Sequence, residues 1–225
     1  MELMVFDEVL ELARSVSQFT IAGEGNVSVR DGDALLIKAS GSTLATMSDD
    51  DLVRCDLDGN AFESEEKKPS MEVSFHAWIL KTFPEINCVC HTHPTHTIKI
   101  LCSECISDFA NKRLFPDQVV RNGIKSCVVP YNTPGVPLRE EIKKSVEEFI
   151  VRNGYFPKLI LLKNHGIITA STSIQEAIVS TLMCEKSAEI FIGAKMLNNV
   201  QFLTQGEVDD VDTHPSEKYR RNLIR

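Results

Sequence analysis

The chain has 225 residues, of which 43% are hydrophobic and 25% charged, an ordinary globular balance that excludes a disordered or fibrous protein. Asp and Glu (32) outnumber Lys and Arg (24), giving a net charge of −8 and excluding a generally basic nucleic-acid-binding surface. No run approaches about 18 consecutive apolar residues, so no membrane span is expected. The first residues carry no basic region followed by a long apolar run, and the seven cysteines are odd in number; reduced thiols in the cytoplasm are expected.

In chain order, Val5, Val9, Leu12, Val16 and Phe19 recur on one face and predict a helix over 5–19. A turn at 23–26 leads into a strand over 27–30. Asp31-Gly32-Asp33 then turns into a second strand over 34–38. Ala39-Ser40-Gly41-Ser42 is another tight turn. Residues 48–51 read as a helix start or turn, 52–57 as a strand and 63–69 as a polar loop. A helix over 71–82 follows, with Ser70 as its N-cap and Pro84 as its stop.

Residues 87–92 read as a strand running into His93-Pro94, with Pro94 in the first turn of a helix through Leu101. A short strand is expected over 126–130. A helix over 138–152 ends at Asn153-Gly154. The apolar run 159–162 reads as a buried strand, with a partner strand over 167–170. Thr172-Ser173 caps a long helix to about Asn198, and an irregular tail occupies 205–225. Central strands between helices predict one α/β domain spanning 1–225, with an antiparallel or mixed sheet.

Three of the six histidines fall in one nine-residue stretch, Cys88 to His96. His91 and His93 are two apart, so on an extended strand both imidazoles point to the same side and can reach one ion. His165 follows the buried run 159–162, with Gly166 expected to permit the turn that aims it inward. Three such ligands leave a coordination position open, as a catalytic site requires. His76, His96 and His214 read as structural or exposed. Cys88-x-Cys90 and Cys102-x-x-Cys105 are rival metal motifs, but Cys88 and Cys90 are out of register with both histidines and the C-x-x-C lacks a second pair. Glu72, at a helix start, is a candidate acid/base. The turns around Asn26 and Ser40-Gly41, with Ser70, offer backbone and hydroxyl donors for an anion.

These segments in this order resemble the class II aldolase/adducin family. The matching pieces are residues 25–30 (GNVSVR), 38–41 (KASG), 70–72 (SME), 91–93 (HTH), Pro130-Tyr131 with Pro134-Gly135, and 164–166 (NHG). The resemblance implies an α/β/α sandwich around a mostly antiparallel sheet. It implies one zinc per subunit, or another divalent metal, on His91, His93 and His165, with Glu72 as the acid/base. It places the phosphate of a small sugar substrate at Asn26, Ser40, Gly41 and Ser70. It also implies a homotetramer with active sites at subunit interfaces. The resemblance implies reversible aldol cleavage of a small phosphorylated ketose through a metal-stabilised enediolate, and Glu72 favours this over the family's epimerases, which carry Asp there. The three histidines argue against a non-catalytic adducin-like module, and sugar-acid-phosphate decarboxylation stays open. Two departures stand out. Met71 replaces a second serine, and no tyrosine lies near residues 114–117, where the family's second acid belongs; Asp117 and Tyr219 are the candidates to replace it.

Overall fold

A computed structural model of the chain describes residues 2–222. Seven strands form one sheet: β1 (Asn26–Asp31), β2 (Ala34–Lys38), β3 (Leu52–Asp56), β4 (Cys88–Thr92), β5 (Cys127–Val129), β6 (Leu159–Leu162) and β7 (Gly166–Ser171). Their spatial order is β3-β2-β1-β4-β7-β6-β5. Every neighbouring pair is antiparallel except β5 and β6. Those two parallel strands are joined through α6 (Val136–Asn153), the crossover that parallel pairing demands.

Helices cover both faces. On one side α2 (Val73–Thr82) and α6 pack Phe75, Ile79, Ile142 and Val146 against Ile37, Val89, Ile160 and Ile168. On the other, α1 (Glu2–Val16) and α7 (Ile174–Met196) bury Val9, Leu12, Ala13 and Ala177 against Val27, Leu36, Cys88 and Cys90. A third cluster joins α3 (Thr95–Leu101), α4 (Ile106–Asn111) and α7 to Leu159, Leu161 and Ile167. Strict alternation along β4 places Cys88 and Cys90 in the second cluster and Val89 with His91 toward α2.

Most expected elements form within a residue or two of their expected limits, including the long helix, where the Ser173 side chain accepts from the Glu176 amide. The structure differs in four places. Ser70 is not an N-cap: α2 starts at Val73, and the Ser70 hydroxyl instead accepts from the Glu72 amide at 3.3 Å. Pro94 precedes the first helical residue of α3 rather than lying inside it. Two unexpected helices, α4 and α5 (Pro116–Asn122), fill the stretch before β5. Residues after 204 are not irregular: α8 (Gln205–Thr213) and α9 (Pro215–Asn222) follow, and both pack on α5. Residues 223–225 of the expected tail lie outside the described ones. Among the described residues no helix is long and apolar enough to cross a membrane.

Candidate active site

The site forms where the middle of the sheet meets the start of α2. His91, in the central strand β4, lies opposite Asn26 of β1 and Ile168 of β7. The His91 Nδ1–H donates to the Ile167 carbonyl at 2.9 Å, which leaves its Nε2 lone pair free. That Nε2 faces His93 Nε2 at 3.0 Å. His93 lies one residue past the strand, and its amide donates to the Phe19 carbonyl. The next helix is fixed by Glu185 of α7, whose carboxylate accepts from the amides of His96 and Thr97, the Thr97 hydroxyl and His96 Nδ1. His96 is therefore engaged away from the cluster, and His214 sits at the C-terminal end of α8.

His165 lies in the turn between β6 and β7, where Asn164 adopts a left-handed φ of 54°. Gly166 has no such φ; its role differs from the expected one. A Cβ there would sit 2.5 Å from the Thr92 carbonyl oxygen and 2.6 Å from His93 Cδ2. Glycine is required by the close approach of β7 to the histidines.

One ligand atom from each of His91, His93 and His165 lies within 4.8 Å of the other two, the one such cluster among the described residues. A tetrahedral zinc with bonds of about 2.0–2.1 Å would hold its nitrogens about 3.3 Å apart. The His91 Nε2 lone pair and His93 Nε2 face each other at 3.0 Å, close to the spacing of two ligands on one cation. Burial pushes the His93 imidazole down to about 3 and that of His165 to about 4, so both are neutral donors. The residues fit a divalent metal. The cysteine motifs do not compete: Cys88 and Cys90 point into the core, and Cys102 is exposed.

Glu72 is wedged against this cluster. Its Oε2 is 3.3 Å from His91 Nε2 and accepts from Asn26 Nδ2 at 2.8 Å; its Oε1 is 3.6 Å from His165 Nε2. Burial pushes the carboxyl up, but the adjacent His91 ring, the Asn26 amide and the rings of His165 and His76 outweigh it and hold it below its usual range.

A cleft of about 220 Å³ opens beside these groups. Residues 23–26, Ser40, Gly41, Ser70, Glu72, His93 and His165 line it together with Lys38, Met71 and Pro134. The Ser40 amide donates to the Lys68 carbonyl and the Ser70 amide to the Lys38 carbonyl, so the two serine turns are zipped together. Asn26, Ser40, Gly41, Ser70, Glu72, His93 and His165 thus line one cleft, while His91 is fully buried behind Glu72 and His93. Asp117, in the first turn of α5, and Tyr219, exposed on α9, do not line it.

Sequence reasoning missed two members. Lys38 is 2% exposed, its ammonium donating to the Gly23 and Ser42 carbonyls, with burial pulling its pKa down. A lysine inside the otherwise apolar run Ala34–Ala39 was the available signal. His76 is wholly buried behind Asn26, at one-turn spacing from Glu72 on α2. A larger groove of about 610 Å³ lies elsewhere, beside Asp31, Asp49, Arg54 and Lys67, but it gathers no comparable set of metal and proton-transfer groups.

The sequence profile of the class II aldolase and adducin N-terminal domain matches residues 8–192. The chain belongs to this family. It is 31% identical over 215 residues to a 3-oxo-tetronate 4-phosphate decarboxylase from Haemophilus influenzae, covering 94% of this chain and 95% of that one. It is 29% identical over 191 residues to an L-fuculose phosphate aldolase from Methanococcus maripaludis, covering 84% and 96%. The crystal structure of YgbL from Klebsiella pneumoniae, described as a putative aldolase/epimerase/decarboxylase, superposes with a TM-score of 0.80 at 25% identity, covering 94% and 99%. With its histidine cluster intact, this family member is an enzyme of the metal-dependent lyase type.

Proposed function

We propose that this protein is a zinc-dependent lyase that removes carbon dioxide from a small phosphorylated 3-oxo sugar acid, with His91, His93 and His165 as the metal ligands. The observation that carries this reading is the single buried carboxylate, Glu72, set against the three histidines in a cleft equipped for an anion. Loss of CO2 from a 3-oxo acid breaks one carbon–carbon bond and leaves its electron pair on the ketone as an enolate. One proton must then reach carbon. A single group, Glu72, is enough for that step: its carboxylate takes a proton from water and passes it to the carbon that the substrate carboxylate has left. A divalent cation bound at the three imidazoles supplies Lewis-acid stabilisation of the developing negative charge.

The chain's other groups bind and orient. Ser40, Gly41 and Ser70 offer donors for the phosphate, and the buried Lys38 ammonium supplies positive charge inside an acidic protein. Asn26 also lines the cleft, but its amide donates to Glu72, so its stronger tie is to the acid/base. Two decarboxylases among the relatives align with 94% and 91% of this chain, against 84% for an L-fuculose phosphate aldolase. Exposed Met71, which lines the cleft, and exposed Tyr131 and Val136, within three residues of its lining Pro134, support a homotetramer with sites at subunit interfaces. Seven unpaired cysteines support a reducing cytoplasm.

Aldol cleavage of a phosphorylated ketose is the second reading, favoured by the fuculose phosphate aldolases among the relatives. It also requires removal of a hydroxyl proton, and among the described residues no tyrosine lines the cleft for that task. Zinc-loaded protein should therefore be given 3-oxo-tetronate 4-phosphate and, separately, L-fuculose 1-phosphate. CO2 release from the first without aldehyde from the second supports the proposal. Aldehyde without CO2 establishes the aldolase. Inactivity on both, or a protein that takes up no metal, overturns both readings in favour of a binding module.

A further inference from the structure

Behind Glu72 lies a chain of buried polar groups whose hydrogens all run one way. The Ser28 hydroxyl is 2.7 Å from His76 Nδ1, His76 Nε2 is 2.5 Å from Asn26 Oδ1, and Asn26 Nδ2 donates to Glu72 Oε2 at 2.8 Å. Ser28 and His76 are 0% exposed and Asn26 is 3% exposed. The direction is fixed by elimination. A carboxylate can only accept, so the amide nitrogen of Asn26 must face Glu72 and its oxygen must face His76. An amide oxygen can only accept, so His76 carries its hydrogen on Nε2. His76 Nδ1 is then a lone pair, and Ser28 must donate to it. The ring is also held flat against Phe75, with centroids 4.6 Å apart. Such a relay has one self-consistent arrangement of hydrogens, and its bonds reinforce one another.

From this we propose that His76 is a positioning residue for Glu72: by donating from Nε2 to Asn26 it prevents the Asn26 amide from flipping and keeps an N–H aimed at the acid/base. With His76 gone, the amide is free to turn its oxygen toward the carboxylate, which would push Glu72 out of place. The strand register explains how the sequence builds the device. Asn26 and Ser28 alternate onto one face of β1, and Asn26 pairs directly across from His91. His76 sits four residues after Glu72, one turn along α2. The inference rests on the assignment of Glu72 as the acid/base, so its test includes a readout that does not.

The first readout is nuclear magnetic resonance of the metal-free chain with ¹⁵N labelling. His76 is expected as the Nε2–H tautomer, and the Asn26 side-chain amide resonance should move in His76→Phe and return in His76→Gln, which keeps an N–H donor. An Nδ1–H tautomer, or an Asn26 amide indifferent to His76→Phe, overturns the proposal whatever the enzyme's reaction. The second readout is steady-state kinetics on whichever cleavage the wild type performs. His76→Phe should lower kcat about 10- to 100-fold with KM and metal content little changed, and His76→Gln should restore much of it. In a double-mutant cycle His76→Phe should cost nothing further in an Asn26→Ala background. Additive losses would show that His76 only supports the fold, and would overturn the proposal. If His76→Phe does not fold, Ser28→Ala tests the same relay from its far end: a smaller fall in kcat, absent in the Asn26→Ala background, is expected, and an unchanged kcat overturns it. A wild type without activity, joined to the expected tautomer and amide shifts, would refute the assigned reaction and leave the positioning role standing.

Discussion

Glu72 and Gly166 show how much of the site depends on single atoms. Glu72→Gln keeps the volume and an oxygen for Asn26 Nδ2, but it removes the carboxylate that takes up and passes on the proton. It is expected to lower kcat about 10²- to 10⁴-fold while the protein still binds one divalent ion per chain. Loss of metal in this variant would show that Glu72 is a ligand and not the acid/base. Gly166→Ala tests the close approach of β7. A new methyl 2.5 Å from a backbone oxygen and 2.6 Å from the His93 ring must displace one of them. Overpacking of this kind costs about 1–3 kcal/mol, and the displaced ring should weaken metal affinity about 10- to 100-fold. Calorimetric titration of the metal-free protein with zinc reads the second effect directly; wild-type affinity would contradict the account. The sequence spacing shows that His91 and His93 can share an ion, and the residues themselves single out Glu72 and the serine turns, to which the resemblance adds the roles of acid/base and phosphate site. The relay through His76 is invisible in one dimension, because it depends on β1 and α2 meeting across the sheet.

At the scale of elements, the strands and long helices are legible because their periodicity is strong: the unbroken run Leu159–Leu162 and the Ser173 cap need no tertiary information. The elements between Leu101 and Cys127 are short and carry little periodicity, yet Pro116 at the start of α5 was a readable signal. Thr204 with Glu207 was another, a capping box that opens α8 in what reads as an irregular tail. What holds α4 and α5 together was not legible. Arg113, 1% exposed, donates to the carbonyls of Phe109, Ala110, Lys112 and Gly123 and to the Ser126 hydroxyl. Its fork satisfies several carbonyls at the ends of the two helices at once. Arg113→Lys keeps the charge but not the fork, and should cost about 2–3 kcal/mol. Thermal unfolding measures this; an unchanged Tm would show that water replaces the guanidinium without loss.

For the whole molecule, the three apolar clusters surround the histidines without including them, and they account for how the chain folds. The cysteines belong to that core. Five of the seven are buried and only Cys102 and Cys105 reach solvent. Burial raises the Cys55, Cys90, Cys127 and Cys184 thiols to about 12 and pushes Cys88 higher still, so thiolate is negligible at neutral pH. A disulfide-exchange reagent at pH 8 should therefore titrate no more than two thiols in the native chain and seven in denaturant. More than two fast thiols in the native chain would mean the core opens readily. The same separation of core from site sets what metal removal does. A structural zinc would leave the stripped chain unfolded, whereas here the far-ultraviolet circular dichroism should survive chelation unchanged. The metal still binds only the native state. At 100 to 1,000 times its dissociation constant it adds about 2.7–4.1 kcal/mol, or roughly 5–15 °C in Tm for a chain of this size. A chelated protein that stays folded but melts earlier by that margin fits a catalytic ion seated on a finished scaffold, and collapse of the dichroism on chelation would show that the ion is part of the scaffold itself.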